Sequence, residues 1–222
     1  MMLLRSLTGL LLGSACAGAA ILVTPTGLTN SSGVSEFFPA ANLINDSGLS
    51  GAADFSNYTS ITHASAANTN AWTTTNPNGA DDYFLVSSPG VTPVFEFDLG
   101  GSYALTDFVF WGYHFNAANG NEAREFFFEF STDGGGSYTS STTVSNSLSD
   151  FAVQNAETLN LGGTFSANTV RMTIQDNHFG GSASGGDRVG LGEVKFVAIP
   201  ELSSFGLLVI GTVGVLGFRR RG

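Results

Sequence analysis

Glu125-Phe-Phe-Phe-Glu-Phe130 is the stretch from which the fold can be read. In an extended backbone successive side chains point to opposite faces, so Phe126, Phe128 and Phe130 share one face while Glu125 and Glu129 lie on the other. The same period of two recurs outward from this segment. Val94-Phe-Glu-Phe-Asp-Leu99 sets Phe95, Phe97 and Leu99 against Glu96 and Asp98, and Thr169-Val-Arg-Met-Thr-Ile174 sets Val170, Met172 and Ile174 against Arg171 and Thr173. Glu193-Val-Lys-Phe-Val-Ala198 pairs Val194 with Phe196. Further strands are expected over Leu105 to Trp111 and, more weakly, over Glu157 to Leu161. Apolar residues alternating with polar ones define half-buried antiparallel strands. Arg171, set among core residues, is expected to pair with a carboxylate on a neighbouring strand.

Gly100-Gly101 and Asp133-Gly-Gly-Gly136 read as turns, and Gly180 to Gly186 as a glycine-serine loop. No stretch carries a capped stripe at helical spacing. Residues 50 to 80 are rich in Ala, Ser, Thr and Asn and read as long loops rather than a separate domain. Short strands at these intervals predict an all-β fold, an antiparallel jelly-roll β-sandwich spanning residues 20–198.

Composition narrows the function. The 222 residues include 8 basic and 18 acidic side chains, a formal charge of −10, with Lys195 the one lysine. A nucleic-acid binder needs basic patches, which excludes that class. Nineteen Phe and a mean hydropathy of +0.16 exclude disorder throughout. The charge divides unevenly: residues 21–199 hold 4 basic and 17 acidic groups, a net −13, which favours neutral glycans and divalent cations as partners.

Both ends read as addresses. Residues 1–19 carry Arg5, an uncharged run and the small residues Ala17-Gly18-Ala19, the layout of a secretory signal peptide cut after Ala19 or Ala20. The apolar run is short for a bilayer of ~30 Å. Cys16 is the only cysteine, and Gly13-Ser14-Ala15 before it lacks the bulky residue of a lipoprotein signal. Cleavage after Ala19 therefore leaves a chain with no disulfide. At the other end (199–222), Leu202 to Phe218 is uncharged for 17 residues before Arg219, Arg220 and Arg221. As a helix that run reaches about 25 Å, a thin transmembrane span with its arginines on the cytoplasmic side.

Pro200-Glu201, a short apolar helix and a terminal arginine cluster resemble the PEP-CTERM sorting tail of exported proteins in certain Gram-negative bacteria. The resemblance covers about 25 residues and departs from the family at Leu202, where the motif has proline. It implies export across the inner membrane, processing by an exosortase-type enzyme, and residence in the envelope, at the cell surface or outside the cell.

The exported region resembles the discoidin-like, or coagulation-factor type C-like, branch of the galactose-binding-like sandwiches. The likeness rests on Asn42-Leu-Ile-Asn-Asp-Ser-Gly-Leu-Ser50, Ala71-Trp72, Phe97-Asp-Leu-Gly100, Ser131-Thr-Asp-Gly134 and Val189-Gly-Leu-Gly-Glu-Val-Lys-Phe196, in that order. It implies a structural Ca²⁺ held by oxygens at Asn45 or Asp46, Ser50 and Glu193, although the usual Ile-Asp-Gly here reads Ile44-Asn45-Asp46. A hard cation wants about six to eight such oxygens, and a domain without disulfides gains from a staple. The resemblance also implies a sugar site in the loops at one end, with Trp72, Trp111, His114, Asn116, Arg124, Asn177 and His178 as candidates. Aromatic faces stack on a pyranose while planar polar groups meet its hydroxyls. Core packing for both tryptophans and an ordinary loop position for both histidines are the plainer readings.

Nothing points to catalysis. His63, His114 and His178 have no metal-ligand spacing, and no Gly-x-Ser-x-Gly elbow occurs. Asp81-Asp82 and the scattered glutamates could pair as in glycoside hydrolases, but 17 acids make such pairs easy to draw. The expected function is non-catalytic binding of extracellular polysaccharide, at the cell surface or in a biofilm matrix. A structural surface or matrix protein with no sugar site is the alternative.

Overall fold

The fold was read from a computed structural model, which describes residues 19–115, 119–147, 154–180 and 184–199. Most of the signal segment, Asn116 and the sorting motif (Pro200, Glu201, Leu202 and Arg219 to Arg221) lie outside them. Among the described residues no helix is long and apolar enough to cross a membrane.

The described residues form strands β1 (Ile21–Val23), β2 (Gly27–Asn30), β3 (Glu36–Phe38), β4 (Thr62–His63), β5 (Trp72–Thr74), β6 (Val94–Gly112), β7 (Ala123–Ser131), β8 (Ser140–Ser145), β9 (Gln154–Asn177) and β10 (Gly190–Ile199). All the strand pairings are antiparallel, in the order β3-β5-β10-β6-β9-β7-β8, with β1 on β10, β2 on β6 and β4 on β9. The antiparallel β-sandwich expected from the alternating segments is the architecture found.

Two long strands make the sandwich. The expected strands at 94–99 and 105–111 are one strand, β6, and those at 157–161 and 169–174 are one strand, β9. Gly100-Gly101, read above as a turn, does not reverse the chain. The register instead slips between Asp98 and Tyr103, and Gly100 takes φ +71 with Thr26 packed on its open side. A bulge bends a strand where a turn would end it, and glycine permits the positive φ. The matching slip between Leu105 and Asp107 leaves residues 161–164 of β9 outside the ladder. At this shared corner β6 and β9 fold together. Their outer arms join β2, β7 and β8 in one layer, and their inner arms join β10, β5, β3 and β1 in the other.

Phenylalanine fills the space between the layers. Phe108, on the second layer, meets Phe126 at 5.1 Å and Phe128 at 4.8 Å on the first, and Phe196 meets Phe97 at 6.1 Å. All six rings of this interlock, Phe110 included, are fully buried. Tilted and edge-on ring pairs of this kind add to plain area burial. On the outward face of the first layer Arg171 bonds Glu96 on β6 at 3.1 Å and Glu129 on β7 at 3.3 Å, the cross-strand pairing expected for it.

The second layer is covered on both faces. The segment after β3 crosses its outer side, where Leu49, Ala53, Tyr58 and Ile61 pack on Val109, Trp111 and Val197. Every residue of β10 from Gly190 to Ala198 is consequently buried, including Glu193 and Lys195, which alternation marks as solvent-facing. Phe128→Ala should destabilise the protein by about 3 to 5 kcal/mol in denaturant unfolding, since the hole lies between four rings. Val86→Ala, at a 96% exposed position, should stay within about 0.5 kcal/mol.

Candidate functional site

Because β6 and β9 double back, the end of β6, the start of β7, the end of β9 and the start of β10 gather at one end of the sandwich. Leu191 pairs with Gly112, Ala123 with Asn177, and Glu122 bridges Gly190. The 113–122 and 178–189 loops are therefore neighbours. Glu122 is wholly buried there and accepts a 2.8 Å bond from Asn146 Nδ2, while Gly112 leaves room for its carboxylate.

Arg124, Asn177 and His178 are brought together at this end. Arg124 forms an ion pair with Asp176, next to His178. Asn177 is a loop fastener: its Nδ2 donates to the carbonyls of Gly186 at 2.7 Å and Arg188 at 2.9 Å, and its Oδ1 accepts from Phe179 N at 3.0 Å. With its amide used on both sides and the residue 1% exposed, Asn177 shapes the site without offering a group to a ligand. His178 is buried with Nε2 lacking a hydrogen-bond partner. His114 is half-buried, and its carbonyl accepts from Ala66 N at 2.6 Å.

The two tryptophans belong to the packing, which corrects their reading as loop platforms. Trp72 is fully buried edge-on against Phe95 at 4.8 Å. Trp111 is fully buried under the covering segment, its Nε1 donating to Ile61 O at 2.8 Å. Neither ring has a face free for a sugar.

Other residues make the opening at this end. A pocket of about 200 Å³ is lined by Phe37, Phe38, Tyr113, Phe115, Asn121 and Arg188. Phe37 is 55% and Phe115 45% exposed, so both offer ring faces at its mouth. The Arg188 guanidinium lies 4.3 Å over the Phe37 ring and makes only long bonds, 3.4 Å to Thr74 O and 3.5 Å to Asn76 Oδ1. Stacking holds the guanidinium plane in position while leaving donors available. Burial pushes the Tyr113 phenol up to about 12, against the pull of Arg188, so it stays a protonated donor. Asn121 Oδ1 accepts from Gly186 N and ties the pocket wall to the glycine loop. Exposed aromatic faces and a guanidinium stacked on one of them thus border a small, mostly apolar hollow.

Sequence periodicity held one clue to this pocket. Glu36-Phe-Phe38 puts adjacent aromatics on opposite faces, so one must look outward. Arg188, two residues past the glycine-serine loop, carried no such signal.

The expected calcium ligands are engaged with one another and with the chain. Asn45 Oδ1 accepts from Ser47 N at 2.9 Å, and Ser50 Oγ accepts from Thr62 N at 3.0 Å. Asp46 Oδ1 lies 2.5 Å from Lys195 Nζ, and Glu193 Oε2 accepts from Asp46 N at 3.0 Å. Glu193 Oε1 is buried without a hydrogen-bond partner, and burial pushes this carboxyl up to about 8. A buried ammonium on Asp46 Oδ1, with Asn45 and Ser50 bonded to the chain, does not fit a cation that asks for about six to eight oxygens. Among the described residues no group of three or more His, Cys, Asp or Glu side chains could hold a metal ion.

No protein-family model and no curated protein matches the chain. Solved structures resemble it in fold. The C-terminal domain of a chitobiase from Bacteroides fragilis aligns with a TM-score of 0.50 at 13% identity, over 81% of this chain and 99% of that domain. The family 32 carbohydrate-binding module of Clostridium perfringens NanJ, solved with galactose, gives 0.46 at 12% identity over 81% and 99%. Another family 32 module, from a Clostridium perfringens family 31 glycoside hydrolase, gives 0.47 at 14% over 80% and 90%.

Burial, reinforced by Arg124 and opposed by Asp176, holds the His178 imidazole down to about 4. A free histidine titrates near ~6.5, so the fold favours the neutral ring. Its stabilisation is present above that value and is lost as pH falls through about 4. Stability should therefore fall as the solution is acidified from about pH 6 towards 4, and His178→Gln should flatten the pH dependence of urea unfolding over this window.

Proposed function

We propose that this chain is an exported, non-catalytic protein that binds extracellular polysaccharide, held at the envelope by its C-terminal tail. The observation that carries the sugar reading is the pocket between Phe37, Phe115 and Arg188, where exposed aromatic faces and guanidinium donors meet in a volume of about 200 Å³. Stacking on the apolar face of a pyranose gives affinity, and the Arg188 guanidinium at the rim meets its hydroxyls. Galactose, the sugar carried by the Clostridium module, is the first to try.

The path of β10 supports an anchored arrangement. It runs from Gly190 beside the pocket to Ile199 at the end of the sandwich away from the loops. An anchor following Ile199 leaves the pocket facing outward. In this reading the exosortase-type enzyme acts on Pro200-Glu201, the apolar run holds the membrane until then, and Arg219 to Arg221 stay on the cytoplasmic side.

On a glycan array the full chain should bind galactose-containing glycans, with Phe115→Ala weakening binding about tenfold and Val86→Ala without effect. Binding to no glycan favours a structural matrix protein. Replacing Pro200 and Glu201 by alanines should leave an unprocessed membrane-bound form, visible as a larger band in membrane fractions. Unchanged processing refutes the address.

A further inference from the structure

Lys195 is the only fully buried cation among the described residues, and its surroundings differ from those of an ordinary surface lysine. It is 0% exposed on the outer face of β10, two residues from the equally buried Glu193. Its Nζ lies 2.5 Å from Asp46 Oδ1 and donates to Thr24 Oγ1 at 2.7 Å. Those partners belong to separate segments: Asp46 to the covering loop and Thr24 to the turn after β1. Glu193 Oε2 accepts from the backbone N–H of Asp46, so the same loop residue touches both buried groups.

The loop is shaped for this contact. Asp46 has φ 59 and is the one non-glycine residue with positive φ among the described residues. An aspartate tolerates that conformation better than most residues, though at a cost that its surroundings must offset. Beside it the His63 ring is held between two glycines: a Cβ at Gly48 would come within 2.0 Å of its Nε2, and one at Gly192 within 2.9 Å. His63 Nδ1 bonds Ala64 O at 2.7 Å. Loop, ring and β10 bulge are thus closely fitted, and the ammonium sits where the two carboxylates and the N-terminal turn converge.

We propose that the Lys195 ammonium is the built-in cation of this loop, taking the place of a divalent ion and pinning β1 and the covering segment to β10. A wholly buried ammonium requires a carboxylate within reach, and here the half-exposed Asp46 of the covering loop supplies it while its backbone N–H meets Glu193. The shift of the carboxylate from position 45 to 46 has a reason in this reading, because at position 46 it reaches Nζ.

Thermal unfolding of the full-length chain tests the proposal. The melting temperature should be the same in millimolar calcium and in EDTA. Lys195→Met keeps the apolar stem and removes the charge, and should lower it by roughly 10 °C. Asp46→Asn should lower it too, and the double variant should lose less than the two added together. A rise of several degrees with calcium in the unaltered chain, or an unchanged melting temperature in Lys195→Met, overturns the proposal. If Lys195→Met does not fold, equilibrium dialysis of the unaltered chain against calcium decides: no stoichiometric uptake supports the built-in cation, and one ion per chain refutes it.

Discussion

The contact of Phe108 with Phe126, Phe128 and Phe196 holds the rest of the structure in place. These rings come from strands far apart in sequence and from both layers, so the core closes only when the sheet has folded onto itself. The fold occurs where β6 and β9 bulge together, near Gly100 and Gly162, both at positive φ. A bulge keeps each strand continuous, and its hydrogen-bond partners change from one layer to the other as it crosses the corner. With no disulfide among the described residues, burial of aromatic surface carries most of the stability.

From that corner the loops of the functional end follow. Each long strand leaves one layer and returns through the other, so loops distant in sequence arrive side by side. Asn177 and Asn121 then fasten the glycine-rich loop from two sides, and Arg188 is carried to the ring of Phe37. The glycines let the backbone turn, while the two asparagines define where it stops. The pocket is therefore a product of strand topology, with amides as its fixings.

The opposite economy governs β10. A strand buried on both faces is usually apolar throughout, yet this one carries Glu193 and Lys195 under the covering segment. The Lys195 charge is tolerated there because Asp46 on the loop pairs with it, while burial holds the Glu193 carboxyl towards its neutral form. The covering segment has few large apolar residues of its own. Its attachment accordingly depends on a small apolar cluster around Trp111 together with these polar contacts.

The strands and their inward faces were legible in the sequence. Phe95, Phe97, Phe126, Phe128, Phe130, Val170, Met172 and Ile174 lie where alternation puts them, because a period of two belongs to the local backbone and needs no knowledge of partners. Arg171 likewise found its carboxylates across neighbouring strands. Of the candidate site, Arg124, Asn177 and His178 lie near one another, and that Asn177 fastens the glycine loop depends on contacts no local pattern shows. Trp72 and Trp111 look alike in sequence to exposed platforms, and only packing distinguishes the two. Gly100-Gly101 reads as a reversal until hydrogen bonds on both sides reveal a bulge. Glu193 and Lys195 read as a wet face until a segment about 150 residues earlier covers them. Local chemistry thus determined which residues form strands and which side of each seeks the core; long-range closure alone decided what covers the other side, because burial is a property of neighbours brought together by the fold.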